Sequence, residues 1–373
     1  MILKQARISR VINVGGFSHV EAVQIGGSLP IVIQTMWKDR ISFADKPDAV
    51  KRIEILSSMG CRLLRFAVPD IKAAEVLGAL AQMVSMPLVA DIHFDHKIAL
   101  RCLDFPIAKI RINPGNIGGR EKVSRVLEKA AKNNIPIRIG VNAGSLPKDI
   151  QEQLKQGKKT HEAMVMAAER EMAIFKEFDF KNYMISMKAS GIADTIEANR
   201  ILADRTDAPI HIGVTEAGNL IAGVAANTAA ILPLLAEGIG DTIRVSLSDT
   251  MENEIVAGRE ILRAASQLAA PELAVERLSC KGVKIVSCPR CGRFSFDTHQ
   301  FAERWKHKLY VMNKDITVAI MGCEVNGPTE AKNADLGITG AGNKVLLFKN
   351  GKIIRTLIAA EADAAFEEEL NKL

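Results

Sequence analysis

The hydrophobic positions between residues 31 and 247 fall into eight short, β-branched runs separated by amphipathic segments. The runs lie at 31–35, 62–68, 88–92, 108–112, 137–141, 183–187, 210–214 and 242–247. Helical periodicity marks the segments at 48–59, 71–83, 122–133, 161–178, 192–206 and 228–238. Because each run is almost continuously apolar, the pattern predicts parallel strands covered on both faces by helices. Eight such units predict an N-terminal (β/α)8 TIM-type barrel, preceded by two short β-like segments at 10–16 and 20–27.

After the eighth run the pattern changes to that of a smaller α/β module. It predicts strands at 284–287 and 316–321, a helix at 298–308 and a closing helix at 359–370. The runs 344–348 and 352–357 flank Asn350-Gly351, the pair typical of a tight hairpin turn. We therefore predict a barrel domain at 1–270 that binds substrate, a linker at 271–282 and a second α/β domain at 283–373.

Composition excludes several classes of protein. The 373 residues are 48% hydrophobic and 25% charged, which is typical of a globular protein. No apolar run reaches the length of a bilayer span, and residues 1–10 lack the apolar core of a signal peptide, so we expect a cytoplasmic protein without a membrane partner. The net charge is +6, but aromatic residues make up only 5% and no basic run is interleaved with them. Nucleic-acid binding is therefore not favoured.

Basic and polar side chains cluster at the carboxyl ends of the predicted barrel strands, where barrel enzymes build their sites. These residues are Arg65, Arg111, Arg138, Asn142, Lys188, Thr215, Arg244 and Ser246, with the carboxylates Asp91 and Glu216 among them. Guanidinium groups about 6 Å apart repel each other by roughly 3 kcal/mol at an effective dielectric constant near 20. An anion would relieve that repulsion, so the sequence predicts a small, multiply charged phosphorylated substrate, with Glu216 as the candidate acid or base.

Two histidines follow the third predicted strand, His93 and His96. A His-x-x-His pair at a strand end can bind a metal ion, but no further ligand occurs at the spacing that such sites use. We interpret His93 as a substrate contact and His96 as an exposed residue at the start of a helix.

Three of the six cysteines form a candidate metal site in the second domain. Cys288 and Cys291 form a Cys-x2-Cys pair, and Cys323 follows another predicted strand. On cysteine count alone, a structural zinc site and an iron–sulfur cluster are about equally favoured. A zinc ribbon needs a fourth strong ligand, whereas a cluster can leave one iron to a weaker ligand, for which Glu324 and Glu330 are the candidates.

The other three cysteines are interpreted as buried or incidental thiols in a reducing compartment. They are Cys61, Cys102 and Cys280, and the last is also a less favourable candidate for the fourth ligand because it precedes the strand that leads to the Cys pair.

Several motifs together point to one family. They are Ser-Cys-Pro-x-Cys-Gly-Arg from residue 287, Gly-Cys-x-Val-Asn-Gly-Pro-x-Glu-Ala from 322, Leu-Gly-Ile-Thr-Gly from 336 and the barrel motifs at 89–95, 109–116 and 213–218. This set resembles the bacterial 4-hydroxy-3-methylbut-2-en-1-yl diphosphate synthases (the IspG or GcpE family) over essentially the whole chain. The resemblance implies a [4Fe–4S] cluster on Cys288, Cys291, Cys323 and Glu330.

The resemblance also implies an activity: reductive ring opening and dehydroxylation of 2-C-methyl-D-erythritol 2,4-cyclodiphosphate in the non-mevalonate isoprenoid pathway. Electrons would come from a flavodoxin or ferredoxin, and the protein would be a head-to-tail homodimer. The implied diphosphate-binding residues are Arg65, Arg111, Arg138, Asn142, Lys188, Arg244 and Ser246. Glu216 would be the acid near the substrate, and Asn326 would approach it from the cluster domain.

One segment departs from the family pattern, and two other functions remain open. Where the family commonly reads Ser-Met-Thr-Asn-Thr, this chain has Thr-Met-Trp-Lys-Asp at 35–39, so a family role for that loop does not carry over. The alternatives are a non-redox barrel enzyme acting on a phosphorylated substrate with a structural zinc domain, and a zinc-ribbon protein that binds RNA. Metal content separates the first from an iron–sulfur enzyme. For the second, RNA affinity that survives Arg111→Ala and Arg138→Ala would count against a small diphosphate ligand.

Overall fold

The computed structural model describes residues 7–325 and 327–373, and the chain forms two compact units. The first unit ends at Cys280, and the second spans Lys281–Leu373. Asn326, which the family resemblance places near the substrate, lies outside the described residues. No helix in the described ranges is both long enough and apolar enough to cross a membrane.

The first unit begins with a two-stranded antiparallel hairpin and continues with eight parallel strands. The hairpin strands are β1 (Ile12–Val14) and β2 (Val23–Ile25). The parallel strands are β3 (Val32–Met36), β4 (Leu63–Ala67), β5 (Leu88–Asp91), β6 (Lys109–Ile112), β7 (Ile137–Asn142), β8 (Tyr183–Lys188), β9 (His211–Ile212) and β10 (Thr242–Ile243). They pair in the order β8-β7-β6-β5-β4-β3-β10-β9, and a single bridge between Ile185 and Ile210 links the two ends. The predicted eight-stranded barrel is confirmed.

Helices connect the barrel strands and cover them from outside. They are α1 (Lys46–Ser58), α2 (Ile71–Ala81), α3 (His96–Cys102), α4 (Pro114–Ile117), α5 (Arg120–Lys132), α6 (Lys148–Lys155), α7 (Thr160–Glu177), α8 (Ile192–Ala203), α9 (Leu220–Ala236), α10 (Met251–Leu268) and α11 (Pro271–Glu276). Local sequence explains several helix starts, since Asp70, Asn219 and Thr250 each accept a hydrogen bond from a backbone N–H of the first turn. The long connection after β7 holds two helices, α6 and α7.

The hairpin β1–β2 closes the amino-terminal end of the barrel. Its buried side chains, among them Val14 and Ile25, pack against the starts of the barrel strands, including Val32 and Leu63. This apolar contact fills the lower part of the barrel, so the polar side chains that point inward lie above it, toward the carboxyl ends of the strands.

The segment predicted as a linker differs from that prediction. Residues 271–276 form the helix α11, and the first unit extends to Cys280. Arg277 is buried and donates hydrogen bonds to the carbonyl oxygens of Gly238 and Gly240 and to Asp241. A side chain held in this way attaches the segment to the barrel, whereas a linker would leave it in solvent.

The second unit is a five-stranded mixed sheet with two long helices. Its elements are β11 (Lys284–Ser287), α12 (Thr298–Val311), β12 (Thr317–Met321), β13 (Leu336–Ala341), β14 (Lys344–Lys349), β15 (Lys352–Leu357) and α13 (Ala362–Asn371). Strands β11, β12 and β13 are parallel, and β13, β14 and β15 are antiparallel. Phe301, Trp305 and Phe366 pack in the core between helices and sheet. Strand β13 was not among the predicted elements.

Candidate active site and cluster-binding turns

Basic side chains line the inside of the barrel near the carboxyl ends of its strands. Strand pairing places Asp91 opposite Arg111 and Arg111 opposite Arg138, and their side chains share the inner face. The basic residues of this surface are Arg65, Lys109, Arg111, Arg138, Lys188 and Arg244. Lys109 was not among the predicted site residues, although it lies two residues before Arg111 and therefore on the same face of β6.

Asp91 is the carboxylate at the centre of this surface. It lies 3.5 Å from Arg65 Nε and 3.2 Å from Arg111 Nη1. Although burial alone would raise its pKa, the charge of Arg65, the hydrogen bond with His93 and the charge of Arg111 hold the pKa of Asp91 well below its usual value. Asp91 is therefore ionised and orients two of the predicted anion-binding arginines.

Three cations in the barrel have no carboxylate partner among the described residues: Lys109, Arg138 and Lys188. Each is at most 4% exposed. Burial first, and then the neighbouring positive charges, lower the pKa of each side chain well below its ordinary value. The Nε of Arg138 has no hydrogen-bond acceptor in the described structure, and Lys109 reaches only the thioether sulfur of Met184 at 3.3 Å. Such a surface would be stabilised by a bound anion.

Two glycines make room for two cations of the basic surface, Arg111 and Lys188. A Cβ atom on Gly140 would lie 2.3 Å from Arg111 Nε, so only glycine allows the guanidinium group to pack against β7. A Cβ atom on Gly213 would lie 2.9 Å from Lys188 Nζ and 2.4 Å from a backbone oxygen, and Gly213 has φ +157°. The glycines in these motifs therefore contribute to the shape of the basic surface.

Glu254 is a second buried carboxylate at this end of the barrel, and the sequence analysis did not find it. It lies on α10, is 1% exposed and forms ion pairs with Arg244 at 3.2 Å and Lys38 at 2.8 Å. Burial would raise its pKa, but Arg244, Lys38 and the hydroxyl of Thr35 hold the pKa below its usual value. The motifs in the sequence mark strand ends, whereas Glu254 lies on a helix and points back toward them.

The remaining predicted substrate contacts lie around the rim of the barrel. Asn142 ends β7 and pairs with Lys188, so these two predicted ligands are neighbours. Thr215 and Ser246 are half-buried in the segments after β9 and β10. Glu216 is exposed and has φ +56°, a conformation that costs a non-glycine residue on the order of 1–3 kcal/mol and is typical of functional sites.

The two histidines after β5 have different environments. His93 is half-exposed, and its Nε2 lies 3.0 Å from Arg111 Nη1 and 3.6 Å from Asp91. It therefore belongs to the basic surface. His96 begins α3 as predicted but is only 7% exposed, so the interpretation of an exposed residue was wrong. Its ring is covered by the protein although its Nδ1 lies 3.4 Å from the half-exposed carboxylate of Asp95.

The three candidate cluster cysteines follow the ends of two neighbouring parallel strands. Cys288 comes directly after β11, and Cys323 comes two residues after β12, which pairs with β11. The backbone N–H of Gly322 donates to Cys288 Sγ at 3.1 Å, which connects the two turns. Cys291 is exposed on the first turn, and hydrogen bonds from Arg293 lower the pKa of its thiol.

The motif Leu-Gly-Ile-Thr-Gly supports the second turn, a role that the sequence did not reveal. Its threonine, Thr339 on β13, donates from its hydroxyl to the carbonyl oxygen of Cys323 at 2.7 Å. The backbone of Gly327 also donates to that oxygen, and a Cβ on Gly327 would lie 2.6 Å from Thr339. Thr339 therefore fixes the turn that carries the third cysteine.

The donor set of these turns fits an iron–sulfur cluster. No group of three or more His, Cys, Asp and Glu residues within the ranges that the structure describes is placed to hold one metal ion. A [4Fe–4S] cluster has a different requirement, because each thiolate binds a different iron atom and the sulfurs lie farther apart. A Cβ on Gly322 would lie 3.3 Å from Cys288 Sγ and 3.1 Å from Phe294 Cβ, so a larger residue would crowd this sulfur. Glu330 is exposed beyond the second turn.

The other three cysteines lie in the first unit. Cys61 and Cys102 are buried as predicted, and burial raises the pKa of each thiol to about 12. Cys280 is half-buried in the first unit, where burial also raises its pKa.

Each of the two units matches a model of a known protein family. Residues 17–259 match the family model described as the GcpE TIM-barrel domain, and residues 284–372 match the GcpE protein C-terminal domain. The chain belongs to the GcpE family. A relative from Treponema pallidum is 47% identical over 98% of this chain and 92% of its own length. Another from Treponema denticola is 44% identical over the full length of both. Each of these relatives is named 4-hydroxy-3-methylbut-2-en-1-yl diphosphate synthase (flavodoxin).

The similarity to a solved structure is weaker. A truncated 3-deoxy-D-arabino-heptulosonate 7-phosphate synthase from Thermotoga maritima aligns with a TM-score of 0.44 and 16% identity, over 72% of this chain and 95% of that one. At that score the likeness says nothing further about this member of the GcpE family.

Proposed function

We propose that this protein is a 4-hydroxy-3-methylbut-2-en-1-yl diphosphate synthase of the non-mevalonate isoprenoid pathway. It converts 2-C-methyl-D-erythritol 2,4-cyclodiphosphate to 4-hydroxy-3-methylbut-2-enyl diphosphate. The reaction consumes two electrons and two protons. One carbon–oxygen bond of the ring breaks, and a hydroxyl group leaves as water. The buried cations inside the barrel support the proposal most strongly. Arg138 and Lys188 have no carboxylate partner among the described residues, and a small diphosphate would supply the opposite charge.

The barrel residues bind and orient the substrate. Arg65, Arg111, Arg138, Lys188 and Arg244, with Asn142 and Ser246, hold the diphosphate through charge-assisted hydrogen bonds, each contributing roughly 1.5–3 kcal/mol. His93 and Thr215 contact the substrate at the rim. Glu216, in its left-handed backbone conformation, is the acid that moves a proton at the substrate.

Cys288, Cys291 and Cys323 would hold the cluster, with Glu330 as the fourth ligand. When bound, a [4Fe–4S] cluster supplies one-electron reduction, with a flavodoxin or ferredoxin as the donor. A carboxylate is the most easily displaced member of this ligand set, which suits a position that must admit substrate. Asn326 is proposed as a further substrate contact. We also propose that the protein is a cytoplasmic homodimer.

Metal content and turnover test this function. Protein purified without oxygen should contain about four irons per chain and no zinc, and it should reduce the cyclodiphosphate with a reduced flavodoxin. Cys323→Ser should lose the iron, whereas Cys280→Ser should keep it, because Cys280 lies outside the two turns. Stoichiometric zinc in place of iron would instead support the non-redox alternative.

Two further variants test the assigned roles. Glu330→Ala should retain less iron, and a variant with full iron and full turnover would remove Glu330 from the ligand set. Glu216→Gln should keep the cluster and lose turnover, and normal kinetics would remove Glu216 from the reaction.

Mixed chains test the homodimer. Arg138→Ala chains, which lack an anion ligand in the barrel, would be combined with Cys323→Ser chains, which lack a cluster ligand. Recovered activity in the mixture would mean that one chain's cluster serves another chain's barrel. Activity no greater than that of the separate variants would mean that each chain acts alone.

A further inference from the structure

Glu254 joins three parts of the barrel rim through five hydrogen bonds. Its Oε1 accepts from Lys38 Nζ at 2.8 Å, from Arg244 Nη2 at 3.2 Å and from the backbone N–H of Leu247 at 3.0 Å. Its Oε2 accepts from Arg244 Nε at 3.4 Å and from the hydroxyl of Thr35. One buried carboxylate therefore holds the end of β3, the loop after it and the segment after β10.

The charges around Glu254 bear directly on Arg244, a proposed ligand of the diphosphate. An isolated Arg244–Glu254 pair would be neutral, and a neutral pair attracts an anion far less than a free guanidinium group. Lys38 adds a second positive charge on the same carboxylate oxygen, which restores a net charge of about +1 to the group of three.

Lys38 lies in the segment 35–39, which departs from the family pattern. Its Nζ also donates to the carbonyl oxygen of Leu247 at 2.6 Å, next to the proposed substrate contact Ser246.

The neighbours of Lys38 hold the loop in place. The backbone N–H of Trp37 donates to the carbonyl oxygen of Arg65 at 2.8 Å, and its indole ring stacks on Phe66 with centroids 5.3 Å apart. On the other side, Asp39 lies 3.5 Å from Arg52, whose guanidinium group also lies over the Trp37 ring. Lys38 is thus fixed before any ligand binds, which lowers the entropic cost of its role.

We propose that Lys38 is a positioning residue for the anion site. It offsets the charge of Glu254, so that Glu254 can hold Arg244 in place without cancelling the attraction of Arg244 for the diphosphate. The inference rests on the proposed function, since it takes the diphosphate site at the barrel rim as given.

Kinetics of the full-length holoenzyme test this role. Lys38→Met should raise the KM for the cyclodiphosphate about tenfold, equivalent to about 1.4 kcal/mol, and change kcat by less than about twofold. The inhibition constant of inorganic pyrophosphate, as a probe of the anion site alone, should rise by the same factor. Lys38→Arg should restore both constants to within about threefold, because it keeps the charge. Lys72→Met, on the exposed face of α2, is the matched control and should change neither.

A double variant separates a charge role from a packing role. In Lys38→Met with Glu254→Gln, the carboxylate charge is gone, so Arg244 regains its net charge and the KM should fall below that of Lys38→Met alone. A purely structural role would make the double variant worse than either single one. If the double variant does not fold, the contrast between Lys38→Met and Lys38→Arg decides, because both retain the aliphatic stem and only one retains the charge.

Failure of this inference and failure of the proposed function give different results. If Arg138→Ala weakens pyrophosphate binding and Lys38→Met does not, the anion site stands and the role of Lys38 is wrong. If neither variant changes pyrophosphate binding, the diphosphate site itself is wrong. If the wild-type holoenzyme does not turn over the cyclodiphosphate, the proposed reaction is wrong, and pyrophosphate binding alone reports on Lys38.

Discussion

At the scale of single residues, the barrel interior is defined by cations whose charge the described structure compensates only in part. Arg65, Arg111 and Arg244 share the carboxylates Asp91 and Glu254, whereas Arg138 and Lys188 have no carboxylate partner among the described residues. Burying a charge without a partner is costly, so these side chains have pKa values well below normal. The protonation of Lys188 should therefore respond to a bound anion.

Lys188 should take up a proton when a diphosphate binds. Burial and the nearby Arg244 and Arg138 lower its pKa in the free protein, and an anion raises it again. Calorimetry of pyrophosphate binding, repeated in buffers of different ionisation enthalpy from pH 7 to 9.5, should detect proton uptake, and affinity should fall as pH rises. Lys188→Met should bind more weakly and lose part of this uptake. Uptake that is absent at every pH, or unchanged in the variant, would contradict the prediction.

Glu171 should make the barrel less stable as pH rises. This buried carboxyl on α7 accepts a hydrogen bond from the backbone N–H of Gly115 at 3.1 Å, yet burial raises its pKa to about 7. The folded state therefore keeps a proton that the unfolded state has lost, and the resulting stability disappears as pH rises from about 4.5 through 7. The loss amounts to about 3 kcal/mol.

Glu171→Gln should remove that dependence, because its neutral amide can still accept from Gly115. We expect the variant to be more stable than wild type at pH 8, and this difference to shrink at pH 5. Urea titrations at both pH values measure it, with Glu128→Gln on α5 as the matched control. A difference that stays constant between the two pH values would contradict the shifted pKa.

At the scale of elements, alternation of apolar runs with amphipathic segments was sufficient to predict the barrel. All eight strands lie within or next to the predicted runs, because parallel strands covered on both faces leave a continuous apolar signal. The polar residues that interrupt those runs, such as Arg65 and Arg138, were found for the same reason. Glu254 was missed because a helix residue gives no sign in the sequence that it points into the barrel, and β13 was missed because Gly337 and Gly340 weaken its strand pattern.

Strand β7 tests how closely the basic surface is packed. In Gly140→Ala the new methyl group would lie 2.3 Å from Arg111 Nε, so Arg111 must move away from β7 and from Asp91. We expect a KM for the cyclodiphosphate at least about tenfold higher, the size expected for one displaced charge-assisted ligand, together with a lower melting temperature. Gly144→Ala is the matched control, because nothing lies within 4 Å of its added Cβ. Equal kinetics for the two variants would show that Arg111 does not need this position.

At the scale of the whole molecule, the proposed chemistry is divided between two units that each have their own core. The proposed anion ligands in the described residues lie in the first unit, and the proposed cluster ligands Cys288, Cys291, Cys323 and Glu330 all lie in the second. The two tryptophans are divided in the same way, with Trp37 beside the barrel rim and Trp305 in the core of the second unit. The fluorescence of each therefore reports on one unit.

Removal of iron should destabilise the second unit and leave the first nearly unchanged. A ligand that binds only the folded state stabilises the unit that holds it, and the turns after β11 and β12 would lose that contribution. Trp37→Phe leaves Trp305 as the reporter, and its unfolding midpoint in urea should fall when a chelator removes the iron. Trp305→Phe leaves Trp37 as the reporter, and its midpoint should stay the same. Hydrogen exchange should agree, with faster exchange at 287–295 and 322–340 and little change in β3–β10. If both midpoints fall together, the stability of the barrel depends on the metal, and the assignment of all cluster ligands to a separately folded second unit is wrong.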